Sequence, residues 1–258
     1  MHELPDDFDA EIYLQLHEDV AAAKVDPIEH YLKFGRLEGR PYKKENVSPT
    51  VVKLSTMVIT NIDLFHERLG AETLLVTGPE RGGTSIVAYA LLRMKYPLQS
   101  DTGANHELRA FVDAAGEPAK LIRVISEQDN KNARWGFKLP SALRSLQWYT
   151  DHLRMPVALI VCRNPLAIYR SIDKHDKELE EGKVGFQKGL GHALAYLQAT
   201  KAALDCSAPV VFVDVDLAQR KPVLFLKELA SLFGLEFDEE IASEISQPGY
   251  KSLPSNND

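Results

Sequence analysis

The chain has 258 residues, with 30 lysines and arginines against 37 aspartates and glutamates, and a formal net charge of -7. Hydrophobic residues make up 45% and charged residues 26%, a composition typical of a folded globular protein with a substantial core. These values exclude a disordered chain, a collagen-like chain and a small disulfide scaffold, and the acidic balance disfavours a general nucleic-acid binder.

The sequence also predicts where the protein resides. It has no run of eighteen apolar residues, so we expect no membrane-spanning helix. The first ten residues lack the basic and apolar segments of a secretion signal, and the two cysteines, Cys162 and Cys206, then indicate a reducing compartment. We therefore expect a cytoplasmic protein.

Residues 1–45 are predicted to form a small helical module. Asp26 is a suitable N-cap, Pro27 fits the first helical position, and Gly35 marks the end of the helix. The polar stretch that follows predicts a linker and a lead-in helix over residues 46–70.

Residues 71–258 alternate between strand-like and helical patterns. Apolar runs rich in β-branched residues predict three strands, over residues 73–77, 157–162 and 210–213. A helical pattern follows each of them, over residues 85–94, 166–180 and 222–233. Strands that alternate with helices indicate an α/β fold, with a parallel sheet flanked by helices.

The segment between the first of these strands and its helix has the features of a phosphate-binding loop, with the sequence Gly78-Pro79-Glu80-Arg81-Gly82-Gly83-Thr84-Ser85. Adjacent glycines let backbone amides turn towards an anion, and the N-terminus of the following helix adds a positive dipole. The loop matches the P-loop of NTPases in length, but Thr84 stands where those enzymes have lysine, and Arg81 is the nearest cation. Asp214 and Asp216 are the candidate magnesium-binding carboxylates, and the sequence shows no partner for either. The loop therefore predicts phosphate binding without ATP hydrolysis.

A second polar motif follows the second predicted strand. Arg163 ends this strand at its carboxyl edge, the side on which α/β proteins bind ligands. Pro165 begins the next helix, and Ser171 lies two turns further along it. Arg163 and Ser171 can therefore hold one phosphate together, through a guanidinium and a hydroxyl group.

In their order and spacing, the two motifs resemble those of the sulfotransferases that use 3′-phosphoadenosine 5′-phosphosulfate (PAPS). In that family a P-[KR]-[SG]-G-T-[ST] loop holds the 5′-phosphosulfate, and an R-x-P-x-x-x-x-x-S segment holds the 3′-phosphate. Residues 79–85 match the first motif with one additional residue, Glu80, and residues 163–171 match the second with the expected spacing. The loop is most similar to the R-G-G-T-S loop of bacterial members, many of which act on glycans or glycolipids.

The resemblance implies a P-loop-like α/β fold over about residues 70–255 and a site for PAPS. It implies that the cofactor is bound by Arg81, Gly82, Gly83, Thr84, Ser85, Arg163 and Ser171. In this assignment Arg81 neutralises the charge that develops on the leaving phosphate oxygen. The leaving group, adenosine 3′,5′-bisphosphate, is stable without a metal, so no metal site is expected.

Two further segments supply catalytic candidates. Similar bacterial sequences often carry an acidic residue that faces the acceptor after the first helix, and here Glu107 is the first candidate for the base and His106 the second. The same run is equally compatible with an ordinary helix start. Lys138 lies in a segment similar to the family's W-G-x-K-x-P segment. The resemblance implies that Lys138 contacts sulfate or the acceptor, and the alternative is a strand-end lysine exposed to solvent. Leu139 and Ser141 depart from the commoner K-D-P-R.

Residues 1–45 also resemble a short helical module found beside bacterial glycan-handling domains, and this module either binds a protein partner or packs on the core. The sequence as a whole favours a PAPS-dependent sulfotransferase acting on a hydroxyl of a glycan or glycolipid. Two alternatives stay open. One is a P-loop nucleotide kinase or NTPase with an atypical loop, and the other is a non-catalytic nucleotide-binding module.

Overall fold

The structure, a computed structural model, describes residues 4–5, 8–42, 50–178 and 186–246. It divides into two units, Met1–Pro49 and Thr50–Asp258. Residues 43–49, within which the predicted linker begins, lie outside the described residues.

In residues 8–42, the first unit contains three short helices and a π-helical turn, namely α1 (Ala10–Leu16), α2 (Glu18–Ala22), α3 (Pro27–His30) and the turn Tyr31–Gly35. As predicted, Asp26 caps α3, where its carboxylate accepts a hydrogen bond from the Glu29 amide at 2.8 Å and Pro27 is the first residue. The π-helical turn ends at Gly35. A Cβ atom at Gly35 would lie 2.0 Å from the Tyr13 hydroxyl oxygen, so close packing, and not a left-handed backbone, requires glycine here.

The second unit is built around a sheet whose described strands are β1 (Val51–Lys53), β2 (Met57–Thr60), β3 (Thr73–Thr77), β4 (Leu98–Gln99), β5 (Trp135–Lys138), β6 (Pro156–Cys162) and β7 (Val210–Asp214). Their order across the sheet is β1-β2-β7-β6-β3-β5-β4. Strands β3 to β7 run parallel to one another, whereas β1 and β2 pair antiparallel and β2 pairs antiparallel with β7. The predicted α/β fold with a mainly parallel sheet is confirmed, and the three predicted strands are β3, β6 and β7.

The described helices of this unit are α4 (Ile62–Arg68), α5 (Thr84–Arg93), α6 (Arg109–Asp113), α7 (Pro118–Lys131), α8 (Leu146–His152), α9 (Pro165–Glu178), α10 (Phe186–Ala202), α11 (Val215–Arg220), α12 (Pro222–Phe233) and α13 (Glu239–Ser246). The three predicted helices are α5, α9 and α12. Over residues 46–70, where the sequence predicts a linker and a lead-in helix, the structure has β1, β2 and α4.

The central strands are buried on both faces, which explains their continuous apolar sequences. Leu74 and Val76 of β3 belong to a cluster that includes residues of α5, α12 and α13, whereas Leu75 belongs to a second cluster with residues of α6, α7, α8 and α10. The sheet is therefore covered by helices on each face, and its edges and strand ends are the places left for a ligand.

Candidate functional site

Four neighbouring parallel strands end at one edge of the sheet, next to residues singled out in the sequence. β3 leads into the Gly78–Ser85 loop, β5 ends at Lys138, β6 is followed by Arg163, and β7 ends at Asp214. These strands are adjacent in the order β7-β6-β3-β5, so their carboxyl ends lie side by side. The chain passes from β3 towards β4 and β5 on one side and later returns to β6 on the other, which makes this edge a topological switch point.

The loop after β3 depends on its glycines for its shape. Gly83 has a φ of +97°, and a Cβ atom there would lie 2.8 Å from a methyl group of Val215. A Cβ atom at Gly82 would lie 2.6 Å from the Pro79 carbonyl oxygen. Arg81 also has a left-handed backbone, with a φ of +59°, although it has a side chain. Such a conformation costs about 1–2 kcal/mol, and residues that adopt it are enriched at functional sites.

Helix α5 begins directly after the loop, with Thr84 buried and Ser85 half-buried in its first turn. The first amides of a helix have no intrahelical acceptor and carry the positive end of its dipole, so this turn is suited to an anion. The helix is anchored to α13, because Glu244 accepts hydrogen bonds from the Tyr89 hydroxyl at 2.9 Å and from Arg93 at 2.8 and 2.9 Å. Burial and the Glu244 hydrogen bond raise the pKa of Tyr89 to about 12, so its hydroxyl stays a donor at neutral pH.

The two sequence motifs come together at this edge. Arg81 Nε lies 3.3 Å from the Ser171 hydroxyl oxygen, across 90 residues of sequence. Arg163 Nη1 donates a hydrogen bond to the Arg81 carbonyl oxygen at 2.8 Å. Two guanidinium groups and a hydroxyl group from the two motifs thus form one cluster, which we call the arginine cluster (Arg81, Arg163 and Ser171).

The two aspartates considered as magnesium ligands have partners in the structure that the sequence did not show. The Asp214 carboxylate caps α11 by accepting a hydrogen bond from the Leu217 amide at 2.8 Å. Asp216 accepts a hydrogen bond from the Asn164 amide at 3.0 Å, and its other oxygen lies 3.4 Å from Arg163 Nε. The sequence named Asp216 only as a candidate magnesium ligand. Its contacts with Asn164 and Arg163 join the ends of β6 and β7, and no sequence spacing signals them.

A second cluster lies where β5 ends, and we call it the lysine cluster (Ser85, Asn105, Glu107 and Lys138). Lys138 Nζ donates hydrogen bonds to Glu107 Oε1 at 2.8 Å and to the Asn105 carbonyl oxygen at 2.7 Å, and it lies 3.5 Å from the Ser85 hydroxyl oxygen. The Lys138 side chain is only 4% exposed. The alternative of a strand-end lysine in solvent is therefore wrong. The buried ammonium group connects the phosphate loop with the first candidate base.

The two candidate bases differ in accessibility. The Glu107 side chain is 19% exposed, whereas His106 is 1% exposed and has a left-handed backbone with a φ of +56°. The His106 ring packs against Tyr89, with ring centroids 5.8 Å apart. An acceptor at this edge can reach the Glu107 carboxylate without rearrangement of the core, and it cannot reach the His106 ring in this way.

Cys162 precedes Arg163 and is a free thiol, as is Cys206. Burial, with a smaller contribution from Asp214, raises the pKa of the Cys162 thiol to about 11. The thiolate is the nucleophilic form of cysteine, so Cys162 is a packing residue and not a nucleophile at neutral pH.

The described residues contain neither a group suited to a metal ion nor a helix suited to cross a membrane. Within residues 4–5, 8–42, 50–178 and 186–246, no three or more histidines, cysteines, aspartates and glutamates are grouped so that they could hold a metal ion. In the same ranges, every helix is too short or too polar to cross a membrane.

No protein-family model and no curated protein matches the chain. Among solved structures, it is similar to a sulfotransferase from Alicyclobacillus acidocaldarius, at 15% identity over 69% of this chain and 90% of that chain, with a TM-score of 0.47. It is similar to the sulfotransferase domain of a Synechococcus olefin synthase, at 14% identity over 70% and 78% of the two chains, with a TM-score of 0.47. It is also similar to the mouse sulfotransferase SULT7A1 complexed with PAP, at 12% identity over 76% of this chain and 73% of that chain, with a TM-score of 0.43. Likenesses this distant do not transfer an activity, so we argue function from the residues of this chain.

Proposed function

We propose that this protein is a sulfotransferase that moves a sulfuryl group from PAPS to a hydroxyl group of a glycan or glycolipid. The observation that carries the proposal is the arginine cluster. The two motifs that resemble the PAPS-binding segments are distant in sequence, and they are joined by the Arg81–Ser171 and Arg163–Arg81 contacts, across 90 and 82 residues. A ligand with two phosphate groups would find donors for both at this edge.

The donor groups fit the chemistry of PAPS. The first turn of α5, with Gly82, Gly83, Thr84 and Ser85, offers amides and hydroxyl groups to the 5′-phosphosulfate. Arg81 adds a cation to the same group. Arg163 and Ser171 offer a guanidinium and a hydroxyl group to the 3′-phosphate. The left-handed backbone of Arg81 and the close approaches at Gly82 and Gly83 show a loop held in one shape, which favours a built site over an ordinary turn.

In the proposed reaction, bound PAPS supplies the sulfuryl group and departs as adenosine 3′,5′-bisphosphate. Glu107 accepts the proton of the acceptor hydroxyl, so that the acceptor oxygen can form its bond to sulfur while the bond between sulfur and the phosphate oxygen breaks. Arg81 stabilises the negative charge that remains on that phosphate oxygen. Lys138 holds the Glu107 carboxylate at 2.8 Å and places a second cation beside the reacting groups.

The acceptor class rests on resemblance. The Arg81–Ser85 loop is similar to that of bacterial sulfotransferases, many of which modify glycans or glycolipids, and residues 1–45 resemble a module found beside glycan-handling domains. We further propose that the protein acts in the cytoplasm and that this module, as a separate unit, binds a protein partner.

A transfer assay with two arginine variants tests the proposal. Purified Arg81→Ala and Arg163→Ala should each transfer sulfate from PAPS to a panel of glycan and glycolipid acceptors about 100-fold more slowly than the wild type, because each removes a charged donor. Arg123→Ala, on the exposed face of α7, is the matched control and should retain wild-type activity. Undiminished transfer by both site variants would contradict the site assignment.

A further inference from the structure

Asp216 lies between the segments that form the proposed PAPS site. One carboxylate oxygen accepts a hydrogen bond from the Asn164 amide at 3.0 Å, and the other lies 3.4 Å from Arg163 Nε. The Arg163 and Asp216 side chains are only 22% and 32% exposed, so solvent screens their attraction less than that of a surface pair. The preceding residue, Val215, packs against Gly83, where a Cβ atom would lie 2.8 Å from its methyl group. The chain after β7 therefore touches both phosphate-binding segments.

These contacts restrict the orientation of the Arg163 guanidinium. The group is planar, and the two contacts lie on different nitrogens, of which Nη1 donates a hydrogen bond and Nε makes an ion pair without a hydrogen bond. Asp216 lies on the Nε side, and the Arg81 carbonyl oxygen accepts from Nη1 at 2.8 Å. A guanidinium group has five N–H donors, so others remain for a ligand.

We propose that Asp216 is a positioning residue that orients Arg163 towards the 3′-phosphate of the nucleotide. This inference rests on the proposed function, because it assumes that Arg163 binds that phosphate. A carboxylate placed beside a phosphate site repels the ligand, so its presence there requires a compensating role, and the contacts assign that role to the orientation of Arg163. Asp216 should therefore matter for ligands that carry a 3′-phosphate and not for ligands that lack it.

The test compares two isosteric variants that lose the same charge. Asp216→Asn removes the ion pair with Arg163, and Asp214→Asn removes a charge two residues away while keeping an amide that can cap α11. Calorimetry measures the affinity of each protein for adenosine 3′,5′-bisphosphate and for adenosine 5′-monophosphate, and the thermal unfolding midpoint verifies that each variant is folded. We expect Asp216→Asn to bind the bisphosphate about 10-fold more weakly and the monophosphate within about 2-fold of the wild type. Asp214→Asn should match the wild type for both ligands.

A double-mutant cycle asks whether Asp216 acts through Arg163. Arg163→Ala should abolish the preference for the bisphosphate over the monophosphate, and Asp216→Asn should then have no further effect in the Arg163→Ala background. Additive losses would show that Asp216 acts on the fold in general, and would overturn the inference. Asp216→Glu, which keeps the charge, should recover part of the preference.

The outcomes separate this inference from the proposed function. If the wild type prefers the bisphosphate and Asp216→Asn keeps that preference, or loses affinity for both ligands equally, only the positioning role is overturned. If Asp216→Asn binds the bisphosphate more tightly, the carboxylate competes with the phosphate for Arg163 and the positioning role is again overturned. If the wild type shows no preference for the bisphosphate, the proposed function falls, and the positioning role falls with it.

Discussion

Glu107 and His106 are neighbours in sequence, yet they offer an acceptor very different groups. The left-handed backbone of His106 directs its ring into the core against Tyr89, while Glu107 keeps its carboxylate at the surface of the site, bonded to Lys138. Sequence patterns cannot separate two adjacent residues in this way, because the burial of His106 depends on its packing against Tyr89 in the fold. At the residue scale, the geometry thus favours Glu107 as the base.

Replacing Glu107 by glutamine tests this role. Glu107→Gln keeps the size of the side chain and removes the proton acceptor, so the transfer rate should fall by about 100-fold or more. The affinity for adenosine 3′,5′-bisphosphate should be unchanged within about 3-fold, because Glu107 contacts Lys138 and not the arginine cluster. The measurement is steady-state transfer together with calorimetry on the same preparations.

Asp101→Asn is the matched control for Glu107→Gln. Asp101 is an exposed acidic residue in the same segment, where it accepts a hydrogen bond from the Arg109 amide, and asparagine can accept that bond as well. Its activity should equal that of the wild type. Full activity of Glu107→Gln would remove Glu107 from the mechanism and return the choice of base to other residues.

At the element scale, the phosphate loop illustrates how backbone conformation restricts the sequence. We expect Gly83→Ala to weaken the binding of adenosine 3′,5′-bisphosphate about 10-fold, since the new methyl group meets Val215 and the φ of +97° disfavours any side chain. Calorimetry measures this affinity, and thermal unfolding reports the cost in stability.

Gly116→Ala is the matched control, since it has the strain of a positive φ without a contact such as that between Gly83 and Val215. Gly116 also has a positive φ, of +80°, but a Cβ atom there meets nothing within 4 Å. This variant should lose some stability and keep the nucleotide affinity of the wild type. If Gly83→Ala binds the nucleotide as tightly as Gly116→Ala does, the shape of the loop at Gly83 is not required for nucleotide binding.

The elements that the sequence predicted well are those with a strong local signal. Strands β3, β6 and β7 are buried on both faces and read as continuous apolar runs, and α12 spans the predicted residues 222–233 and ends before a glycine with a left-handed backbone. Strands β1 and β4 have only three and two residues and lie at the edges of the sheet, so they leave no periodic pattern to detect. Helix α11 has six residues and escaped prediction for the same reason.

At the scale of the whole molecule, the two ends of the sheet differ, since one carries the candidate site and the other carries a buried hydrogen-bond network. The end opposite the candidate site holds Glu72, whose side chain is fully buried and accepts hydrogen bonds from Arg134 at 2.7 Å and from the Tyr96 hydroxyl at 3.0 Å. Arg134 also donates to the Phe233 carbonyl oxygen at 2.9 Å, so the network ties β3 and β5 to the end of α12. Strand β3 separates it from the phosphate loop by about 17 Å.

Glu72→Ala should therefore destabilise the fold and spare the site. It leaves the Arg134 guanidinium partly buried without its carboxylate, a change that typically costs about 3–5 kcal/mol of unfolding free energy. The thermal unfolding midpoint should fall by about 10 °C. Below that midpoint, the affinity for the nucleotide should equal that of the wild type.

Glu117→Ala is the control for Glu72→Ala, because Glu117 pairs with Lys120 on the surface and should leave the midpoint almost unchanged. An equal midpoint for Glu72→Ala and the wild type would contradict the structural role of the network. A selective loss of nucleotide affinity in Glu72→Ala would contradict the separation of stability and function between the two ends of the sheet.

The candidate site shows the same division between local and distant signals. Its two motifs could be identified from sequence because each is a short segment with a fixed spacing. The contacts that assemble them could not, since Arg81 meets Ser171 across 90 residues and Arg163 across 82 residues. These pairs are fixed by the order of strands in the sheet, and that order is a property of the whole fold.

The most direct test of the central claim is calorimetric titration of the full chain, without added metal, with adenosine 3′,5′-bisphosphate, ADP and ATP. We predict a clear preference for the 3′,5′-bisphosphate, because only this ligand carries a 3′-phosphate for Arg163 and Ser171 in addition to the phosphate proposed to bind at the start of α5. Tighter binding of ATP that appears only with Mg²⁺, or binding of none of the three nucleotides, would contradict it.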